Sequence, residues 1–207
     1  MPLVRKAISL EPPQRPSPER PGDIPLHGSA DERWAAARSL TGQAAEPALV
    51  RALSVETDPQ IREAILTNLV SIGTVSARRA VCDQLRSENA DARSAALDAL
   101  KAARDATLPH VSELLVDADP DVRLLACEVV RGFSMPKAQS LLTALLERDD
   151  QINVCAAAIE VLSEIGTISA LPSLDACRHR FAHDPFLRFS IDAAVRLIGG
   201  RPLPARE

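Results

Sequence analysis

The chain has no tyrosine, one tryptophan (Trp34) and only four phenylalanines in 207 residues. A core of normal size must therefore be built from aliphatic side chains. Few platforms exist for stacking bases, and the net charge of −4 denies the basic balance usual in nucleic-acid binders, so no nucleic-acid partner is expected. Glycine is sparse, at eight residues, and neither a glycine-rich phosphate loop nor a G-x-S-x-G elbow occurs. No apolar run approaches the ~18 residues of a membrane-spanning helix. No apolar signal core precedes Pro12 and Pro13, so a secretory leader is not expected either. Four cysteines (Cys82, Cys127, Cys155 and Cys177) form no C-x-x-C pair, which favours reduced, buried thiols in a cytoplasmic protein over a disulfide framework.

Alanine, leucine, valine and isoleucine supply nearly all of the 46% apolar content. Alanine and leucine are strong helix formers, and no alternating apolar pattern competes with helix anywhere. Residues 1–28 hold seven of the sixteen prolines, which remove amide donors and fix φ, so an extended or disordered arm is expected there. Residues 201–207 read as a short tail.

Between them a period of about thirty residues is visible. Its clearest copies are Asp58-Pro59-Gln60-Ile61-Arg62, Asp119-Pro120-Asp121-Val122-Arg123 and Asp184-Pro185-Phe186-Leu187-Arg188. Weaker copies begin at Ser29, Asn89 and Asp149, and the six pentads step by 29, 31, 30, 30 and 35 residues. Asp, Asn or Ser in first place accepts an orphan amide at a helix start, and proline next fits the first helical position. Apolar residues three and four apart follow, as in Ile61, Ala64, Ile65 and Leu69, giving one buried helix face. Each run ends in a break. Ile72-Gly73-Thr74-Val75-Ser76-Ala77 recurs as Ile165-Gly166-Thr167-Ile168-Ser169-Ala170, where glycine is expected as a left-handed C-cap. Second helices are predicted over 45–53, 77–85, 108–116, 137–146 and 170–179.

The D-P-x-[VIL]-R pentad, the alanine-rich first helix, the I-G-T-x-x-A break and the leucine-bearing second helix together resemble the HEAT repeat. The match is to its short bacterial form, the phycobilisome-lyase HEAT-like type, and covers about 29–200. The resemblance implies an all-α, right-handed α–α superhelical solenoid of about six helix pairs. It also implies a structural role for the recurring arginine, which braces repeat junctions against acidic or carbonyl groups. Arg33, Arg62, Arg93, Arg123 and Arg188 hold that slot, with Asp58, Asp119 and Asp184 as junction caps; Asn153 departs from it. Iron-dependent hydroxylases of this architecture use His-Glu pairs, but here the histidines precede Gly28, Val111, Arg180 and Asp184. Glycosylases of this architecture use a basic groove with aromatics, which this composition does not offer.

One segment stands apart, Cys177 to Phe189, with three of the four phenylalanines, two histidines and three arginines. Three readings apply: a C-terminal cap whose rings close the core, a partner-binding edge, or a metal site from Cys177, His179 and His183. The metal set fits poorly, because those spacings do not share one helical face. Candidate partner-binding residues are Arg178, His179, Arg180 and Phe181, with Arg78 and Arg79. Arg51, Gln84, Glu113 and Gln139 are further polar positions on second helices. A second candidate surface is an acidic ridge of Asp117, Asp119, Asp121, Glu147, Asp149 and Asp150. The functional expectation is a non-catalytic scaffold or adaptor that binds another protein, with no cofactor, no metal and no catalytic residue. The alternative, implied by the resemblance alone, is a tetrapyrrole-binding, chromophore-lyase-like subunit.

Overall fold

The computed structural model describes Ile24 and residues 28–200; the expected arm and tail fall almost wholly outside these. Every regular element among the described residues is helical. First helices are α1 (Ala30–Ser39), α3 (Pro59–Ile72), α5 (Ala90–Ala103), α7 (Pro120–Val130), α9 (Ile152–Ile165) and α11 (Pro185–Gly199). Second helices are α2 (Glu46–Val55), α4 (Val75–Asp83), α6 (Leu108–Leu114), α8 (Met135–Arg148) and α10 (Leu171–Arg180). The expected six pairs are thus five pairs plus α11, which has no second helix among the described residues.

The first helices stack in series: α1 on α3, α3 on α5, α5 on α7, α7 on α9 and α9 on α11. Second helices α2 and α4, α4 and α6, and α8 and α10 pack likewise. One continuous core results, in which Ile65, Leu69, Ala96, Leu100, Ala126 and Leu162 are fully buried. Small side chains at the contacts let the helices approach closely, which is why a core almost without aromatics still closes.

Helix starts follow the pentads with one exception. Asp58, Asn89 and Asp119 side chains accept amides of their first turns, Asp184 accepts from Leu187, and Ser29 forms a full capping box with Glu32. At the fifth repeat the cap is Gln151 rather than Asp149, so α9 begins two residues later than its pentad predicts. The caps are therefore separated by 29, 31, 30, 32 and 33 residues, and the apparent long step of 35 disappears. The second helices carry proline in the first turn at Pro47, Pro109, Pro136 and Pro172, as expected.

The two I-G-T breaks differ. Gly73 is left-handed at φ 66°, ψ 17°, and its N–H donates to the Leu69 carbonyl. Gly166 is extended at φ −67°, ψ 156°, which any residue adopts. Its glycine answers to space: a Cβ there would lie 2.5 Å from the Leu162 oxygen and 3.1 Å from Ile198 Cδ1 of α11. The corresponding break after α5 holds Arg104 at φ 52°, ψ −144°, a strained setting for a side-chain-bearing residue.

Candidate functional site

The repeat junctions are built first from the fourth residue of each first helix. Arg62, Arg93, Arg123 and Arg188 all reach back six residues to a carbonyl, at Glu56, Ser87, Asp117 and Ala182 respectively. Arg33 reaches the Gly28 carbonyl and also holds Glu56 of the next repeat at 2.9 Å. Arg123 holds Asp149 of the next repeat at 2.7 Å, and Arg62 donates to the Gln84 side chain. Arg188, by contrast, makes only a 3.5 Å contact and is exposed.

A second recurring group sits two residues before each cap. The side chains of Glu56, Ser87, Asp117 and Asp149 accept the backbone N–H of Asp58, Asn89, Asp119 and Gln151. These acceptors fix the loop and, where they are acids, also take an arginine from the preceding repeat. Asp149 is thus a junction acceptor, only 6% exposed, and not a helix cap. Burial pushes its carboxyl up, but the Arg123 guanidinium and the Gln151 amide outweigh this and hold it below the usual aspartate range. Glu56 and Asp117 are held low in the same way, by Arg33 and by the Asp119 amide with Arg86.

The register correction moves the arginine slot of the fifth repeat from Asn153 to Cys155, whose thiol reaches back six residues to the Asp149 carbonyl at 3.4 Å. A thiol is too short to brace the junction as arginine does. Arg180, from the end of α10, fills the gap. It donates to the carbonyls of Leu146 (2.6 Å), Glu147 (3.2 Å) and Asp149 (2.9 Å), which close the C-terminus of α8. Its guanidinium also lies 4.9 Å from the Phe181 ring centre.

These contacts revise the candidate partner-binding residues. Arg178 pairs with Asp192 of α11, Arg180 and Phe181 serve the packing of α8 and α10, and His179 is exposed beside Asp175. Arg78 lies against the back of Gly73, 3.1 Å from where its Cβ would stand, and Arg79 is exposed on α4. Gln84 takes Arg62, and Gln139 accepts from Thr167 and donates to Ser169 across a junction. Glu113 and Arg51 lie on α6 and α2. The acidic ridge does not stand as one surface, because Asp117 binds Arg86 and Asp149 is buried against Arg123. Cys177 is buried whereas His179 and His183 are exposed, so the three do not converge. All four cysteines are free and buried, and desolvation pushes the Cys82 and Cys127 thiols up to about 12.

The aromatic segment departs most from expectation. Its rings do not close the core: Phe181 packs against it, but Phe186 and Phe189 are 59% and 68% exposed. Leu197, further along α11, is 55% exposed. At about 100° per residue, Phe186, Phe189, Ala193 and Leu197 fall within one ~80° arc. The buried residues of the same helix, Leu187, Ile191, Ala194 and Ile198, occupy a different arc. Sequence reasoning singled out these phenylalanines and left them between a core-closing cap and a partner-binding edge, because a terminal helix pattern does not say which of two apolar arcs meets the core.

The described residues also form shallow grooves between neighbouring helices. One of about 560 Å³ between α3 and α5 is lined by Glu63, Asp91, Asp98 and alanines, and one of about 540 Å³ by Trp34, Arg38 and Glu63. No group of three or more metal-type ligands gathers among the described residues.

Stacked helix pairs, a ladder of junction arginines and a core shared between neighbours define an α-helical repeat solenoid. Within it, the family model for HEAT repeats matches residues 108–190. No curated protein matches the chain in sequence. Among solved structures it is similar to human deoxyhypusine hydroxylase in complex with glycerol, at 14% identity and TM-score 0.47, covering 86% of this chain and 93% of that one. It is similar to the complex of CpcE and CpcF of phycocyanin lyase from Nostoc sp. PCC7120, at 18% identity and TM-score 0.37, covering 93% and 100%. An engineered protein aligns at 19% identity and TM-score 0.44, covering 86% and 96%.

Proposed function

We propose that this protein is a non-catalytic recognition module, a scaffold or adaptor that binds another protein through the exposed apolar arc of α11. The observation that carries this reading is the placement of Phe186, Phe189 and Leu197 in solvent, on one arc of a helix whose other apolar arc is already buried. A chain this poor in aromatics has few large rings to spend on its surface, and contiguous exposed apolar area marks contact sites. Arg178, Arg180 and Phe181 then act behind that surface: they tie α10 to α11 and to α8, and so fix where the arc stands. His179, Arg78 and Arg79 lie on second helices and not on this arc. The tetrapyrrole alternative gains little, since one groove between helices is lined mainly by carboxylates and small residues and the other offers one aromatic and one basic side chain, Trp34 and Arg38.

The test is site-specific photocrosslinking in the native host, with a benzophenone amino acid at position 189 and, as control, at position 79. The expected outcome is a discrete heterologous adduct at 189 and none at 79. Equal, diffuse labelling at both positions would contradict the reading.

A further inference from the structure

Two of the four thiols meet. Cys155 stands in the first turn of α9 and Cys177 in the last turn of α10, and both are fully buried. Their side chains hydrogen-bond to each other. Arg180, one turn beyond Cys177, brings Nη2 to 3.8 Å from Cys155 Sγ. The Cys155 hydrogen has two acceptors within reach, the Asp149 carbonyl at 3.4 Å and the Cys177 sulfur. The thiol–thiol contact, with positive charge from Arg180, holds the Cys177 thiol below its ordinary range against the opposing effect of burial. The same contact and burial push the Cys155 thiol up. One sulfur is thus set to ionise and the other to wait beside it as a thiol. Among the described residues no thiol contacts Cys82 or Cys127, which burial alone would leave inert. Arg180 is exposed, so an oxidant reaches the pair past a single side chain.

We infer that Cys155 and Cys177 are an oxidation site, a dithiol that hydrogen peroxide converts into a disulfide joining the two helices of the fifth pair. The Cys177 thiolate attacks one oxygen of the peroxide. An S–O bond forms, the O–O bond breaks, and the departing hydroxide takes the proton that Cys177 released. The Cys155 sulfur then attacks the sulfenic sulfur. The S–S bond forms, the S–O bond breaks, and hydroxide leaves with the Cys155 proton as a second water. Two thiols are oxidised to one disulfide, and one peroxide is reduced to two waters. The bond falls at the junction where a thiol stands in the arginine slot, so oxidation adds a covalent brace where the ladder lacks its own.

The test treats the full, reduced chain with stoichiometric hydrogen peroxide, then blocks the remaining thiols with N-ethylmaleimide before tryptic digestion and mass spectrometry. Both residues fall in one tryptic peptide, 149–178, because no lysine or arginine lies between Arg148 and Arg178. After peroxide this peptide is expected to be lighter by two hydrogen atoms and to carry no maleimide, whereas the peptides bearing Cys82 and Cys127 keep theirs. Dithiothreitol added before blocking is expected to restore both maleimides. With Cys155→Ala, Cys177 is expected to accumulate as a sulfenic acid that dimedone captures; with Cys177→Ala, Cys155 is expected to stay a thiol. Circular dichroism melts show whether the variants fold, and the unaltered chain decides the question if either does not. Maleimide retained on both Cys155 and Cys177 overturns the inference. So does a loss of labelling spread equally over all four cysteines, a disulfide between two chains, or sulfinic acid at Cys177 in place of the bond.

Discussion

Arg123 and Asp149 show what a single residue contributes here. Their ion pair is largely buried, at 13% and 3% side-chain exposure, and each partner has further bonds to backbone. Removing one partner leaves the other charged and enclosed, so Arg123→Ala should cost about 3 kcal/mol or more in urea denaturation. Arg188→Ala, at an exposed and weakly bonded end position, should cost well under ~1 kcal/mol. Arg104 makes the opposite case. It stands at positive φ where glycine would relax, so Arg104→Gly should stabilise by about 0.5–1 kcal/mol in the same assay, despite lengthening the list of unfolded conformers. The ladder arginines were legible in the sequence because a pentad with proline fixes register. Cys155 was not, since the fifth copy lacks proline and Asp149 imitates the cap that Gln151 supplies. The acceptors at Glu56, Ser87, Asp117 and Asp149 were missed for a related reason. Their residue types differ, and only their shared distance from the true cap unites them.

At the scale of the helix, caps and faces act separately. Asp119 receives one amide of α7 and lies at the surface, so Asp119→Ala should cost about 0.5–2 kcal/mol. Ile65 lies completely buried on the core face of α3, so Ile65→Ala should cost about 2–5 kcal/mol. Equal costs for the two would mean that the buried face of α3 is misassigned. Helix number, order and approximate ends followed from periodicity, proline and glycine. The orientation of α11 did not. Leu187, Ile191, Ala194 and Ile198 make one apolar arc and Phe186, Phe189, Ala193 and Leu197 another, and only packing on α9 chooses between them.

For the whole molecule, the stack is one core joined by charged junctions, so stability should depend on pH through those junctions. Glu56, Asp117 and Asp149 are all held below their ordinary values, and Asp105 is lowered to about 2 by the Ser134 amide and hydroxyl together with Lys137. A carboxyl depressed in the folded state stabilises it above the unfolded pKa, and that contribution disappears as pH falls through the folded one. The melting temperature should thus hold steady above about pH 5 and drop progressively toward about pH 2. Among the described residues no helix is long and apolar enough to cross a membrane, and apolar surface remains exposed on α11. The most direct measurement is the urea midpoint of the chain carrying Phe186→Ser and Phe189→Ser together, compared with the unaltered chain. If the rings are a free recognition surface, the midpoint should stay the same or rise slightly. A loss of more than about 2 kcal/mol would mean that the rings close the core, and the surface on which recognition is argued would not exist.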